Sequence, residues 1–505
     1  MKNQVQLITY VDRFGGRTLR ELQSLLASRF PHCFGSVHLL PFFDPIDGAD
    51  AGFDPVDHTR VDPRIGEWAD VRALSHAVDV MADVIVNHIS SESPQFRDYL
   101  EHGSESSWAP MFLTYDKVFP QGATERELLG IWRPRPGLPF AHVTLGGGQH
   151  RLMWTTFTPR QIDIDVESTL AQDYLSGILR TLSANGVTQV RLDAVGYAIK
   201  RRGSSCFMTD ETFAFIGQFA AQARSLGMDV LVEVHSYYRQ QVEIARHVDR
   251  VYDFALPPLV LHAFAFKTAR RLKHWLAIRP TNAVTVLDTH DGIGVIDIGS
   301  HAHDRAGLPG LVSDQELEQL VEWIHANSQG TSREATGAAA SNLDLYQVNC
   351  TFFDALGRDE RAYLLARAIQ FFFPGTPQVY YVGLLAGSND MTLLRKTGVG
   401  RDINRHYYSA EEVDHEIERP VVRGLLELIN LRNTHPAFGG TFAVEETPDA
   451  ELAMKWRCGP HWAKLRIDLA LGVHELTYTG IPELAPRLRA FEAVCSRPTR
   501  LPEVQ

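Results

Sequence analysis

Four short apolar runs in this chain end in side chains that can bind or move protons. VIVNH (84–88) ends in Asn87 and His88, VRLDAV (190–195) carries Arg191 and Asp193, VEVH (232–235) ends in Glu233 and His235, and LDTHD (287–291) carries Asp288, His290 and Asp291. In an extended strand alternate residues share a face, which sets Arg191 beside Asp193 and Glu233 beside His235. A guanidinium next to Asp193 is expected to hold that carboxylate ionised. An ionised carboxylate facing a carboxyl group that keeps its proton is the pair that retaining glycosyl transfer requires. One attacks the sugar; the other protonates the leaving oxygen and later takes a proton back. Taken singly, each charge could be half of a structural ion pair. Gathered at one rim they would repel, so such a set must serve a ligand or a reaction.

A rim of this kind needs strands that end together. The apolar, β-branched runs are VQLITY (5–10), VHLLPF (37–42), DVIVNH (83–88), VTQVRLDAV (187–195), DVLVEVH (229–235), VYDFALP (251–257), AVTVLDTHD (283–291) and PQVYYVG (377–383). Segments with helical spacing lie between them, clearest at 18–30, 169–186, 212–227 and 361–373. Alternation of this type suits parallel strands buried on both faces with helical crossovers. Eight strands point to an α/β fold, a (β/α)8 TIM barrel, whose active sites sit at the C-terminal strand ends. A doubly wound sheet is the alternative, but no Gly-rich phosphate fingerprint follows the first run. Two long excursions interrupt the alternation, after strands three and seven, and short alternating runs after about residue 437 read as a small antiparallel β-domain. The expected division is a catalytic barrel of 1–87, 168–291 and 358–437, an insertion of 88–167, a second insertion of 292–357, and a C-terminal β-domain of 438–505.

Composition narrows the function classes. Of the 505 residues, 49 are Lys or Arg and 61 are Asp or Glu, a net charge of −12, which argues against a general nucleic-acid or anionic-membrane surface. Hydrophobic residues at 44% and charged residues at 22% exclude global disorder. Cys33, Cys206, Cys350, Cys458 and Cys495 are odd in number and form no CxxC pair, so they read as reduced thiols of a cytoplasmic protein. The first segment meets Asp12 and Arg13 before it reaches the apolar length of a signal sequence, and no window approaches a membrane span. The histidines lack HExxH spacing and no acidic calcium loop is present, so no metal and no cofactor is expected.

VIVNH, VRLDAV, EVH and DTHD resemble, in order and placement, the four signature strand ends of the α-amylase superfamily (glycoside hydrolase family thirteen). VQLITYVDRFGG (5–16), LPFFDPIDGADAGFDPVDH (40–58), RPRPGLPF (133–140), VYDFALPPL (251–259), LDTHDGIGVIDIGS (287–300), SNLDLYQVN (341–349) and GRDINRHYY (400–408) further resemble its sucrose phosphorylase family. That resemblance covers essentially the whole chain. It implies a glycosyltransferase that moves glucosyl reversibly from sucrose to phosphate, giving α-D-glucose 1-phosphate and D-fructose with retention. Asp193 would be the nucleophile of a covalent glucosyl intermediate, Glu233 the general acid/base and Asp291 the transition-state stabiliser.

A glucosyl ring in transit wants an apolar face for its C–H surface and charged hydrogen bonds for its hydroxyls. Asp50, Phe53, His88, Arg191, His290 and Arg401, with Asp291, match family positions of that kind. The resemblance also implies that Arg135, Leu345 and Tyr346 face phosphate, and that Asp344 and Gln347 face fructose in another loop position, with His235 beside them. Arg133 reads equally as a solvated loop charge, and Trp132 stands where close relatives often carry tyrosine. The implied partners are small molecules alone, with no nucleic acid and no membrane; relatives occur as monomers and as homodimers. Two rivals stand beside this reading. One is a phosphorylase of glucosylglycerol, glucosylglycerate or sucrose 6′-phosphate. The other is a non-catalytic sugar-binding barrel, against which all three rim carboxylates speak.

Overall fold

Strands that are apolar on both faces stay satisfied when each pairs on both edges, and a closed sheet does this for all of them. The computed structural model describes residues 2–48, 50–134, 137–301, 307–337, 347–480, 488–498 and 501. Its central sheet is a closed barrel of β1 (Gln6–Thr9), β2 (Ser36–Leu39), β3 (Asp79–Ile85), β4 (Val187–Asp193), β5 (Asp229–Val232), β6 (Arg250–Asp253), β7 (Ala283–Thr285) and β8 (Thr376–Tyr380). Neighbours in sequence are neighbours in space, every pairing is parallel, and β1 closes on β8 with Gln6 opposite Gln378. The expected (β/α)8 barrel is therefore the fold, and each of the eight expected runs supplies one strand.

The crossover helices begin where a side chain can take an unpaired N–H of the first turn. Thr18, Ser168, Thr209 and Asp359 cap Leu19–Arg29, Thr169–Ala184, Asp210–Ser225 and Glu360–Phe372. The third of these starts before the expected residue 212 because Thr209 accepts from the Thr212 amide.

The barrel interior is not uniformly apolar. Tyr252 donates to Gln378, Gln378 to Gln6 and Gln6 to Gln189, at 3.0–3.1 Å. Above them the buried chain His38–Asp83–Arg191 runs up through β2, β3 and β4 to the rim. These strands present a ladder of hydrogen bonds where a plain hydrophobic core would leave the guanidinium unsupported.

Between β3 and β4 the chain makes a helix, Pro94–His102, and a hairpin of Phe140–Thr144 with His150–Trp154. His88–Ser90 then pairs antiparallel with Gln161–Asp163. After β7 it forms the helices Asp314–Asn327 and Thr331–Gly337. The C-terminal sheet consists of β9 (Thr441–Val444), β10 (Glu451–Cys458), β11 (His461–Asp468) and β12 (Val473–Tyr478), antiparallel in that order. Trp456 of β10 ties it to the barrel by donating to the Phe372 carbonyl at 2.8 Å.

Candidate active site

The ladder of β4 ends at Asp193, and the next residue, Ala194, has φ +54°. A non-glycine residue in the left-handed region turns the chain sharply at the rim and is a mark of functional sites. The turn aims the Ala194 amide at Glu233 Oε2, 3.4 Å away. Arg191 and Asp193 share a face as expected, with Nη1 3.0 Å from Oδ1. The strand spacing does not carry Glu233 and His235, because β5 stops at Val232. They still come together, His235 Nε2 lying 3.9 Å from Glu233 Oε1.

The expectation that Arg191 holds Asp193 ionised needs correction. One guanidinium serves three carboxylates, at 2.5 Å from Asp83, 3.0 Å from Asp193 and 3.9 Å from Glu233. Asp83 is nearest and also receives His38 Nε2 at 3.0 Å. Burial would raise Asp83, yet Arg191 and His38 hold it down at about 2. Asp193 is left with the remainder: burial pushes its carboxyl well above the ordinary range, Arg191 lowers it in part, and Glu233, Asp83 and Asp291 add to the rise. Crowding of carboxyl groups around one guanidinium opposes their joint ionisation, which is the kind of environment acid/base chemistry uses.

Asp291 is the contrasting case. Burial alone would raise it, but Arg401, with Nη1 2.8 Å from Oδ1, together with Arg191 and His235, holds it far below the carboxylate range. Arg401 also lies 3.9 Å from Asp50. Asn404 donates to the Thr289 carbonyl and Arg405 to the His290 carbonyl, so the segment containing Arg401 also fixes the backbone of the DTHD turn.

His290 stacks on Phe53 at 4.9 Å with 7° between the rings, and burial pushes it down to about 3, so it is neutral. Arg191 lies 5.6 Å from the centre of the same Phe53 ring. His88 donates through Nε2 to the Phe53 carbonyl at 3.0 Å. The structure thus brings together Asp50, Phe53, His88, Arg191, Asp193, Glu233, His235, His290, Asp291 and Arg401. Gln347 stands at the edge, its side-chain oxygen accepting from the Gly292 amide at 3.3 Å. Arg135, Asp344, Leu345 and Tyr346 lie outside the described residues. Arg133 is a loop charge whose guanidinium donates to the Gly137 carbonyl. Trp132 stacks on Phe207 and donates to the Tyr197 hydroxyl at 3.1 Å. Phe157 joins Tyr197 to His88, completing an aromatic wall beside the rim.

Several residues of the site were not picked out by sequence reasoning. His38 and Asp83 belong to the apolar runs VHLLPF and DVIVNH, and a polar residue in such a run is the available signal. Lys200 is buried, with Nζ 2.5 Å from Asp163 Oδ2 and 2.6 Å from Asn87 Oδ1. Asp297 accepts from His235 Nδ1 at 2.7 Å. Among the described residues, Glu233, His235 and Asp291 are the three acidic or imidazole groups close enough to meet at an ion, within 4.8 Å of one another. Arg191 and Arg401 already bring fixed positive charge to Glu233 and Asp291.

The α-amylase catalytic domain family matches residues 33–252. A sucrose phosphorylase from Agrobacterium vitis is 58% identical over 95% of this chain and 98% of its own. A second, from Bifidobacterium adolescentis, is 55% identical over 94% and 95%. The chain belongs to the α-amylase family. It is an enzyme, a glycosyltransferase of that family. Its fold matches the crystal structure of sucrose 6F-phosphate phosphorylase from Thermoanaerobacter thermosaccharolyticum with a TM-score of 0.87 and 37% identity, over 95% of this chain and 96% of that one. Among the described residues, no helix is long and apolar enough to cross a membrane.

Proposed function

We propose that this enzyme is a sucrose phosphorylase, transferring glucosyl reversibly from sucrose to phosphate to give α-D-glucose 1-phosphate and D-fructose. The observation that carries the reading is the high identity, over nearly the full length, to the two sucrose phosphorylases, combined with a rim that keeps all three carboxylates. In this reading Asp193 attacks C1 while Glu233 gives its proton to the departing fructose oxygen. The glycosyl ester on Asp193 is then opened by phosphate, whose proton goes to Glu233. Asp291, kept ionised by Arg401, faces the positive charge that grows on the ring. Phe53 and His290 offer flat surface to the glucosyl ring, and Asp50, His88, Arg191 and Arg401 its hydrogen bonds. Arg135, Asp344, Leu345, Tyr346, Gln347 and His235 form the acceptor side.

We take 88–167 and 292–357 as the two insertions that carry the acceptor residues other than His235, and 438–505 as a separate β-domain. The five cysteines, all unpaired, support a cytoplasmic enzyme.

The test is incubation with sucrose, with and without phosphate, and assay of glucose 1-phosphate and fructose, repeated with glucosylglycerol, glucosylglycerate and sucrose 6F-phosphate. Faster turnover of any of the last three than of sucrose overturns the substrate assignment. No product from any of the four overturns the phosphorylase reading.

A further inference from the structure

His235 is held more firmly than a residue that merely lines a pocket needs to be. Its ring lies flat on Phe254, the residue after β6, with centroids 3.8 Å apart and planes 15° apart. Its Nδ1 faces Asp297 Oδ2 at 2.7 Å. Asp297 sits in the turn Val295–Ile298 and is fully buried. Its other oxygen accepts from the Ser236 amide at 3.0 Å and from Gln241 Nε2 at 2.7 Å. A carboxylate fixed on three sides accepts a proton-bearing Nδ1 in one ring orientation only. The chain leaves room for the pair at Gly294: a Cβ there would come 2.2 Å from Asp297 Oδ2 and 2.7 Å from His235 Nδ1. The other ring nitrogen, Nε2, is turned toward Glu233 Oε1 across 3.9 Å. That gap is too long for a direct hydrogen bond. A ligand oxygen set beside it could meet both groups.

We propose that Asp297 is a positioning residue for the acceptor half-reaction, locking His235 so that its Nε2–H is presented to an anionic oxygen of the incoming acceptor beside Glu233. The proposal rests on the phosphorylase reading above. In the step concerned a phosphate oxygen forms its bond to C1 and the C1–Oδ bond to Asp193 breaks, its electron pair returning to the carboxylate. The phosphate proton passes to Glu233. His235 gives a hydrogen bond and keeps its proton, so nothing further need be supplied.

The charges facing His235 are Asp297 from the segment after β7, Glu233 two residues before it, and Asp291 from the DTHD turn, with Arg191 on the far side of Glu233. Burial alone would favour the neutral imidazole, but Asp297 first, then Glu233 and Asp291, raise His235 above its ordinary value. The cationic donor is therefore present below that raised value and is lost as pH rises through it. Without the Asp297 charge it fails at lower pH.

The experiment measures the ratio of glucose 1-phosphate to free glucose from sucrose at fixed phosphate, from pH 5.5 to 8.5, for the wild-type enzyme and Asp297→Asn. Phosphate's own titration cancels between the two. The expected result is a ratio about ten-fold lower in the variant at neutral to alkaline pH, the worth of one charge-assisted hydrogen bond, converging on wild type at the acid end. Asp297→Glu should recover part of the loss. A ratio that follows the wild-type curve at every pH, or falls by one factor throughout, overturns the proposal. If Asp297→Asn does not fold, the ring nitrogen NMR shifts of His235 in the wild-type enzyme decide. Both nitrogens protonated at pH 7 support the proposal, and a bare Nδ1 overturns it. A wild-type enzyme that makes no glucose 1-phosphate from sucrose defeats the phosphorylase reading instead, and the NMR result is independent of that.

Discussion

Asp193 and Glu233 are both carboxylic acids beside one guanidinium, and their separate tasks give separate mutational signatures. Asp193→Asn replaces a nucleophile by an amide that cannot form a glycosyl ester. Sucrose cleavage should fall by several orders of magnitude in a folded protein. Near-normal release of fructose would end the nucleophile assignment. Glu233→Gln should divide substrates by leaving group. Fructose departs only with a proton, whereas fluoride departs without one, so glucosyl fluoride should still glucosylate Asp193 while sucrose stays intact. Mass spectrometry of the intact protein reads the trapped ester. Equal loss on the two donors would exclude Glu233 as the acid. Asp193 could be named from its place at the end of VRLD, but its electrostatics could not. The sequence places Arg191 two residues away, and nothing in it says that Asp83, far along the chain, takes the larger share of that charge.

At the scale of elements, the site is assembled by segments that cross-brace the strand ends. Lys200 follows the Asp193 turn, Asn87 follows β3, and Asp163 lies on the strand that pairs with His88; one buried ammonium joins all three. Asp163 also accepts from Thr156 through backbone and side chain. Removing one partner of a buried ion pair leaves the other charge uncompensated, which costs about 3–5 kcal/mol. Lys200→Met should lower the urea midpoint accordingly. It should also raise KM for sucrose more than it lowers kcat, because His88 is displaced while the carboxylates keep their places. A variant as stable as wild type would show that water reaches Asp163 and that the brace is unimportant. The strands themselves were legible from apolar runs, but their ends were not. β5 and β7 stop at Val232 and Thr285, before Glu233 and Asp288, because ladder pairing gives way to rim contacts there.

For the molecule as a whole, the rim trades stability for chemistry. Asp193 is raised above its unfolded value, so keeping it ionised costs folding energy at neutral pH. Asp193→Asn should therefore melt higher than wild type, by about 1 °C for each kcal/mol relieved in a chain of this length. A lower melting temperature would mean that the Arg191 contact outweighs the repulsion. Asp83 has the opposite sign. Its depressed value, about 2, contributes stability that is fully present above the unfolded carboxylate value, about 4, and is lost as pH falls through 2. Asp83→Asn should flatten the acid limb of the stability curve while lowering the plateau at neutral pH.

The sequence by itself determined the barrel and the chemical types at its rim. Two-sided burial forces apolar runs, and eight runs separated by helical spacing leave few ways to close a sheet. It also determined that carboxylates, imidazoles and guanidiniums would meet there, since each stands at the end of a run. Tertiary structure decided how the charges are divided. Asp83 against Asp193 for Arg191, Arg401 against Asp291 and Asp297 against His235 are pairs distant in sequence, and their distances decide which group keeps a proton. Coulomb energy and desolvation depend on ångström separations and on water excluded from all sides, and neither quantity is written in the order of residues along a chain.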